Sequence, residues 1–287
     1  MEADEAPVAD GGEGTAAALH AALGGDWRTT VVADPFGRPV EADFLLLPDG
    51  RAVVESAQAI GLSRLAHDEL DPLTASSRGL ADLIAATVEA GATGLIVGLG
   101  DSATVDGGAG HREALDSLPL ETVVACDVSN PLLGSRGAAR AFGPQKGASP
   151  EDVELLERRL AESAELAPYA DLPGAGAAGG LGAGLAMLGA TLVPGAELVV
   201  ETIRLPERLE GSALAVTGEG IVDAASLEGK APGVVAAHAH ELGVRCVVFG
   251  GRVVTEIPSA QTVALSGNPR RAEADLERLG ESLGREL

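Results

Sequence analysis

The chain has 287 residues, enough for one large α/β domain or two modest ones with a buried core. A hydrophobic content of 46% excludes a disordered polymer, and with only 2% aromatics the core must be built from Ala, Val and Leu, helped by 39 glycines. A formal charge of −23 repels a phosphate backbone and no aromatic platform offers to stack bases, which excludes a nucleic-acid partner.

Taken in chain order, Thr30–Ala33 and Phe44–Leu47 read as short strands joined by the turn at 34–39. Asp49-Gly50 marks a hairpin-like turn before a third strand, Ala52–Glu55, so this first part is expected to be antiparallel. Arg78–Ala90 has helical periodicity and stops at Gly91. Leu95–Leu99 is an apolar run of the kind buried in a parallel sheet, Ala109–Leu118 a helix, and Thr122–Cys126 a second buried strand. The right-handed crossover rule places those two strands in one sheet.

Ser149-Pro150 announces a helix over Glu151–Leu166, with Ser149 as N-cap and acids in the first turn. Leu181–Leu188 is an apolar helix. Residues 172–196 carry no charge, but their Gly, Ala and Pro content suits close helix packing rather than a membrane span. Then strands at Ala213–Thr217, Val244–Gly250 and Gln261–Leu265 alternate with helices at Val234–Leu242 and Ala272–Leu283, as in a doubly wound domain.

The predicted fold class is α/β with two α/β domains. One is a doubly wound, Rossmann-like parallel sheet and the other a smaller mixed domain. The change of style near residue 56 assigns residues 1–58 with about 131–199 to the smaller domain. It assigns about 59–130 with 200–287 to the Rossmann-like one.

Cys126 and Cys246 sit in or after Val-rich runs and read as buried core thiols, with no Cys/His spacing for zinc. The acidic opening Met1–Glu5 lacks the apolar core of a signal peptide, so a cytoplasmic location is expected, with no membrane partner. His238 and His240 are two residues apart on a helix and point away from each other.

Lysine is the informative residue. Of 20 Lys and Arg residues, only Lys146 and Lys230 are lysines, both in glycine-flanked loops. A compact ammonium is not interchangeable with a guanidinium, and each lysine can reach a phosphate as a point charge.

Six motifs carry candidate chemistry. In Asp10-Gly11-Gly12-Glu13-Gly14 before an Ala-rich helix, the amides and helix N-terminus favour an anion, while Asp10 and Glu13 can hold Mg²⁺ or orient a hydroxyl. Residues 98–110 follow a buried strand and offer Ser102, Thr104 and the carboxylates of Asp101 and Asp106, groups that suit phosphate and Mg²⁺ at the carboxyl edge of a sheet. Asp127 and Asn130 follow the next strand. Lys146 lies in Phe142–Ala148, and residues 174–182 form a glycine-rich helix entry. Last, Glu219 and Asp223 in Thr217–Asp223 precede Gly229-Lys230-Ala231-Pro232. Acids for metal, lysine for phosphate and amides for oxygens suit phosphoryl transfer, without a P-loop. A rival reading remains open, since Gly98, Gly100 and Ala103 also match a dinucleotide fingerprint of a dehydrogenase.

In this order, from about residue 7 to about residue 250, these stretches resemble the bacterial type I glycerate kinase family. The resemblance implies ATP-dependent phosphorylation of D-glycerate, 2-phosphoglycerate favoured, with Mg²⁺, in two α/β domains closing on a cleft. It implies catalytic roles for Asp10, Asp127, Asp223 and Lys230. Binding roles fall to Gly11, Gly12, Glu13, Ser102, Thr104, Asp106, Asn130, Lys146 and Glu219, and metal binding to Asp106 and Asp127. The family's opening strand and Asp-Ser-Phe-Lys-Gly-Ser loop have no counterpart in this sequence. Its Gly-Glu-Gly-Arg-Ile-Asp reads Gly218-Glu219-Gly220-Ile221-Val222-Asp223, without the arginine. A non-catalytic relative that binds a nucleotide or small organic acid is therefore the alternative.

Overall fold

The computed structural model describes residues 3–227 and 229–287, so Met1, Glu2 and Glu228, which the sequence reading included, lie outside the described residues. The chain divides into two compact units, Pro7–Val199 and Met1–Ala6 with Val200–Leu287.

The larger unit is built on a six-stranded sheet of order β1-β2-β3-β4-β5-β6. After helix α1 (Thr15–Leu23), β1 (Asp26–Ala33) and β2 (Pro39–Leu46) form an antiparallel hairpin, from Asp26↔Leu46 to Ala33↔Pro39. The Asp34 side chain closes its turn by accepting from the amides of Phe36 and Arg38, both at 2.8 Å. β3 (Arg51–Glu55) is antiparallel to β2 and parallel to β4 (Gly94–Leu99), and β5 (Thr122–Cys126) and β6 (Thr191–Pro194) continue the parallel half. Helices α2 (Ala57–Ile60) and α3 (Arg78–Glu89) lie between β3 and β4, and α4 (Ala109–Ala114) lies between β4 and β5.

Between β5 and β6 come α5 (Ala138–Phe142), α6 (Pro150–Glu162) and α7 (Ala177–Met187). The sequence rule for α6 holds in detail. Ser149 Oγ accepts from the Asp152 amide at 3.2 Å, and Asp152 accepts from the Ser149 amide at 3.0 Å, with Pro150 in the first turn. Val54, Val97 and Val124 on the strands pack with Leu80, Leu83 and Ile84 of α3 and Leu181 and Leu185 of α7 in one core. A second core gathers Leu132, Ala139, Leu156, Leu160 and Ala183. Neither contains a large aromatic cluster, as the composition requires.

α7 begins irregularly. Ala178, Gly179 and Gly180 all have left-handed backbone angles. A Cβ placed on Gly179 would lie 1.9 Å from the Thr104 carbonyl oxygen. Gly179→Ala is therefore expected to destabilise the protein by about 3 kcal/mol or more, read as a lowered urea midpoint. The glycine-rich stretch thus serves close packing against the loop after β4.

α8 (Gly195–Thr202) carries the chain out of the larger unit, and α9 (Leu205–Leu209) follows. The smaller unit holds a wholly parallel sheet of β7 (Leu214–Val222), β8 (Arg245–Val253) and β9 (Gln261–Ala264). Helices α10 (Ala224–Leu227) and α11 (Ala231–Glu241) cross from β7 to β8, and α12 (Ala272–Glu286) ends the chain.

The α/β class with one mixed and one parallel sheet stands, the mixed sheet being the larger. The division of the chain falls elsewhere than the sequence reading put it. Residues 59–130 contribute β4 and β5 to the same sheet as β1–β3, so they do not group with 200–287. The change of style near residue 56 is the switch from antiparallel to parallel pairing inside one sheet. Cys126 and Cys246 are buried and unpaired, as expected. No helix among the described residues is long and apolar enough to cross a membrane.

Candidate active site

The carboxyl ends of β3, β4, β5 and β6 share one edge of the larger sheet, where open α/β sheets place their ligands. The loop Asp10–Gly14 lies directly on this edge. A Cβ on Gly11 would meet Gly195 Cα at 2.7 Å and Ala125 Cβ at 2.9 Å. One on Gly98 would meet the Gly11 carbonyl at 2.9 Å, and one on Gly100 would meet Gly12 Cα at 2.9 Å. The glycines are thus explained by backbone laid on backbone. A Cβ on Gly12 would lie 3.6 Å from Asp10 Oδ1 and 3.7 Å from Asp127 Oδ2, so the two carboxylates flank this glycine from different segments.

Glu55, at the end of β3, sits beneath the same loop and is 5% exposed. Its Oε1 accepts from the Ala16 amide at 2.8 Å. Burial raises its proton affinity, while the amides of Ala16, Gly14 and Thr15 pull the other way and the nearby Glu13 adds to the rise. A side-chain oxygen of the protein itself therefore occupies the N-terminus of α1, which corrects the reading of that terminus as a site for a bound anion. Glu13 is exposed beside it.

The loop after β4 is fastened along its length. The Ser56 hydroxyl donates to the Gly100 carbonyl at 2.9 Å. Ser102 forms a β-bridge with Gly61, and the Ala103 amide donates to the Ile60 carbonyl at 2.8 Å. Asp106, offered by sequence as a metal ligand, has both carboxylate oxygens engaged. Oδ2 accepts from the Ser77 amide (2.9 Å), the Ser77 hydroxyl (2.8 Å) and the Gly110 amide (3.1 Å), and Oδ1 from the Gly108 amide (3.0 Å). It works as an organiser of the starts of α3 and α4. Gly98–Ala103 opens no helix, since α4 starts only at Ala109, so the dinucleotide fingerprint lacks its helix.

His111, on α4, is fully buried with no partner for either ring nitrogen, and burial lowers it to about 4 despite the nearby Asp106. The imidazole is neutral at physiological pH. Asn130, expected to bind ligand, donates from its side-chain Nδ2 to the Arg136 carbonyl at 2.6 Å, and its backbone carbonyl accepts from the Gly176 amide at 2.9 Å. Lys146 is 2% exposed, and its ammonium donates to Ser102 Oγ and to the Thr104 carbonyl, both at 2.8 Å. Burial pulls it down to about 7, against the charges of Asp106 and Asp101. The Thr104 hydroxyl is buried and unpartnered.

The smaller unit holds the other candidates. Thr217–Gly220 does not end its strand, as the sequence reading had it, because β7 continues through Val222. Gly218 permits the close contact with Phe249 on β8, where a Cβ would lie 2.5 Å from the ring. The buried Ser226 hydroxyl donates to Glu219 and accepts from the Asp223 amide at 3.0 Å. Lys230 Nζ lies 3.7 Å from Glu219 Oε2 and keeps 40% of its side-chain surface exposed.

The structure thus brings Asp10, Gly11, Gly12 and Asp127 together, with Ser102, Thr104 and Asp106 in the adjoining loop, which Lys146 reaches from the Pro144–Lys146 turn. It brings Glu219, Asp223 and Lys230 together in the smaller unit. Sequence reasoning missed Glu55, Ser77 and Ser226. A carboxylate ending an apolar strand was the available signal for Glu55, and the two serines gave none. No group of three or more His, Cys, Asp or Glu converges among the described residues. Asp10 and Asp127 nonetheless offer hard carboxylate oxygens, which fits a Mg²⁺ ion that keeps water or phosphate as its remaining ligands.

Carboxylates and glycine amides gathered on the carboxyl edge of parallel strands define an α/β enzyme acting on a small polar substrate. The glycerate kinase family model matches residues 1–121 and 116–270. Glycerate 2-kinase of Escherichia coli strain K12 is 42% identical over 266 residues, covering 79% of this chain and 70% of that protein. Glycerate kinase of Bacillus subtilis strain 168 is 38% identical over 287 residues, covering 86% and 75%. A crystal structure named for glycerate kinase 2 of Salmonella typhimurium LT2 superposes with a TM-score of 0.82 at 33% identity, covering 98% of this chain and 89% of that one. The chain belongs to the glycerate kinase family.

Proposed function

We propose that this chain phosphorylates D-glycerate with ATP as donor, the 2-hydroxyl favoured and Mg²⁺ as the accompanying cation. The observation that carries the reading is the convergence of Asp10 and Asp127 on Gly12 at the sheet edge. One of these carboxylates accepts the proton of the attacking hydroxyl. The oxygen forms a new bond to the γ-phosphorus as the bond to the bridging β–γ oxygen breaks, and ADP leaves. Mg²⁺, when bound, supplies positive charge against the phosphate oxygens. Polar groups of the Gly11–Glu13 stretch and of the loop after β4 orient the small acid.

In the smaller unit, Lys230 steadies a phosphate, held in place by Glu219, which Ser226 in turn fixes. Asp223 belongs to the same cluster. A cytoplasmic location follows from the use of ATP.

The test is ADP release with Mg·ATP and D-glycerate, beside Lys230→Ala, with the product assigned by phosphorus NMR. Glycerate-dependent turnover that drops in the variant supports the reading. Absence of turnover in a folded protein that still binds ATP would establish instead a non-catalytic member of the family.

A further inference from the structure

Lys146 has an environment unlike that of a phosphate-binding lysine. It ends the short turn Pro144–Lys146, and the turn is seated tightly, since a Cβ on the following Gly147 would lie 2.8 Å from the Leu70 carbonyl. From there the side chain runs inward until only 2% of it is exposed. Its ammonium donates to the Ser102 hydroxyl and the Thr104 carbonyl, one on each side of Ala103. No carboxylate is recorded within ion-pair distance of it among the described residues. Leaving an ammonium in such a place is costly unless the groups it binds must be held.

What it holds is the segment between two other anchors. On one side Gly100 packs on Gly12 of the Asp10–Gly14 loop. On the other, Asp106 is fixed by four donors, and the Gly107 amide bonds the Gly179 carbonyl at 3.1 Å. Without Lys146, the stretch between these anchors keeps the bonds that Asp101 accepts from the amides of Leu62 (2.8 Å) and Ser63 (3.2 Å) and the pairing of Ser102 and Ala103 with Gly61 and Ile60, all on the side before Thr104.

We propose that Lys146 is a positioning residue: it ties Ser102 and Thr104 to the Pro144–Lys146 turn, and so sets the shape of the loop on which D-glycerate is held, without touching substrate. The inference rests on the kinase reading for its effect on turnover, but not for its effect on the loop.

Two measurements test it. Lys146→Met fills the same space without a donor. Amide exchange at Ala103 and Gly107 is expected to rise at least tenfold in that variant, on the order of a lost hydrogen bond. Exchange in β5 is expected to stay as in the wild type. In steady-state assays the KM for D-glycerate is expected to rise about 30-fold or more while the KM for ATP changes little, as expected of misplaced substrate-holding groups. Ser102→Ala, which leaves the bond to the Thr104 carbonyl, is expected to give a smaller change of the same kind. Combined with Lys146→Met, it is expected to add little. Unchanged exchange at Ala103 and Gly107 would overturn the proposal, as would equal effects on both KM values. If Lys146→Met does not fold, Ser102→Ala decides by the same readings. If the wild type does not turn over D-glycerate, the kinase reading falls, and the exchange data alone decide whether Lys146 holds the loop.

Discussion

Asp127→Asn is expected to lower kcat for D-glycerate phosphorylation by 100-fold or more, in a protein whose thermal unfolding is close to that of the wild type. General-base contributions of this size are usual, about 10²–10⁴-fold, and the loss of one charge facing a cation adds to it. Asp127 is exposed at the end of β5, so the substitution disturbs no buried packing. Asp10→Asn is expected to be similarly harmful, and the two substitutions are expected to be far from additive if the carboxylates serve one hydroxyl. Asp106→Asn is expected to behave differently. It removes an acceptor of four hydrogen bonds, so its main effect is on the urea midpoint. Equal turnover by wild type and Asp127→Asn would remove Asp127 from the chemistry.

The second large effect is on stability against pH. Burial lowers Lys146 from 10.5 to about 7 in the folded protein, with Asp106 and Asp101 opposing the shift. Between those values the unfolded chain binds a proton that the folded one does not. Stability contributed at this site therefore rises with pH from about 7 and is complete above 10.5, while below 7 the full penalty of the buried charge applies. Lys146→Met lacks that slope. Relative to the variant, the wild type is expected to gain about 3–5 kcal/mol between pH 7 and 10.5, measured by urea unfolding across that range. Near pH 7 the variant is expected to be at least as stable as the wild type, while turning over D-glycerate less well. Parallel curves would show that the ammonium keeps its proton throughout.

Much of the architecture was legible because strand burial and helix capping are local. The apolar run at 95–99, the Ser149-Pro150 start and the Gly91 stop each state their element in a few neighbouring residues. β6 was not legible, since Thr191–Pro194 is short, contains proline and lies at the sheet edge, where little burial is demanded. The division of the chain was misread for a reason of the same kind. Hydrophobic pattern reports whether a strand is buried on one face or two, not which sheet it joins. Around the site, the acids and glycines could be picked out by type, but not their employment. Asp106 and Asn130 satisfy backbone groups, Lys146 lies inside, and Glu55 occupies the helix terminus that sequence had left open. For Asp106, Lys146 and Glu55 the deciding contacts lie 29, 44 and 39 residues away, which no local pattern encodes, and the bond from Asn130 to Arg136, six residues on, has no signature in residue type.

The seating of the Asp10–Gly14 loop has a consequence for how such a protein can diverge. Gly11, Gly98, Gly100 and Gly195 face mostly main-chain atoms, the exceptions being the Ala125 methyl beside Gly11 and Glu55 Cγ at 3.5 Å from a Cβ on Gly98. A side chain added at one position cannot be accommodated by trimming a bulky neighbour, because there is almost no side chain to trim. These positions offer no pairwise route of compensation, unlike an ordinary core, where a larger residue at one site is tolerated once its neighbour shrinks. New specificity must therefore arise at the rim, at positions such as Glu13 or Ser129. The floor can be lost, but it cannot be remodelled one residue at a time.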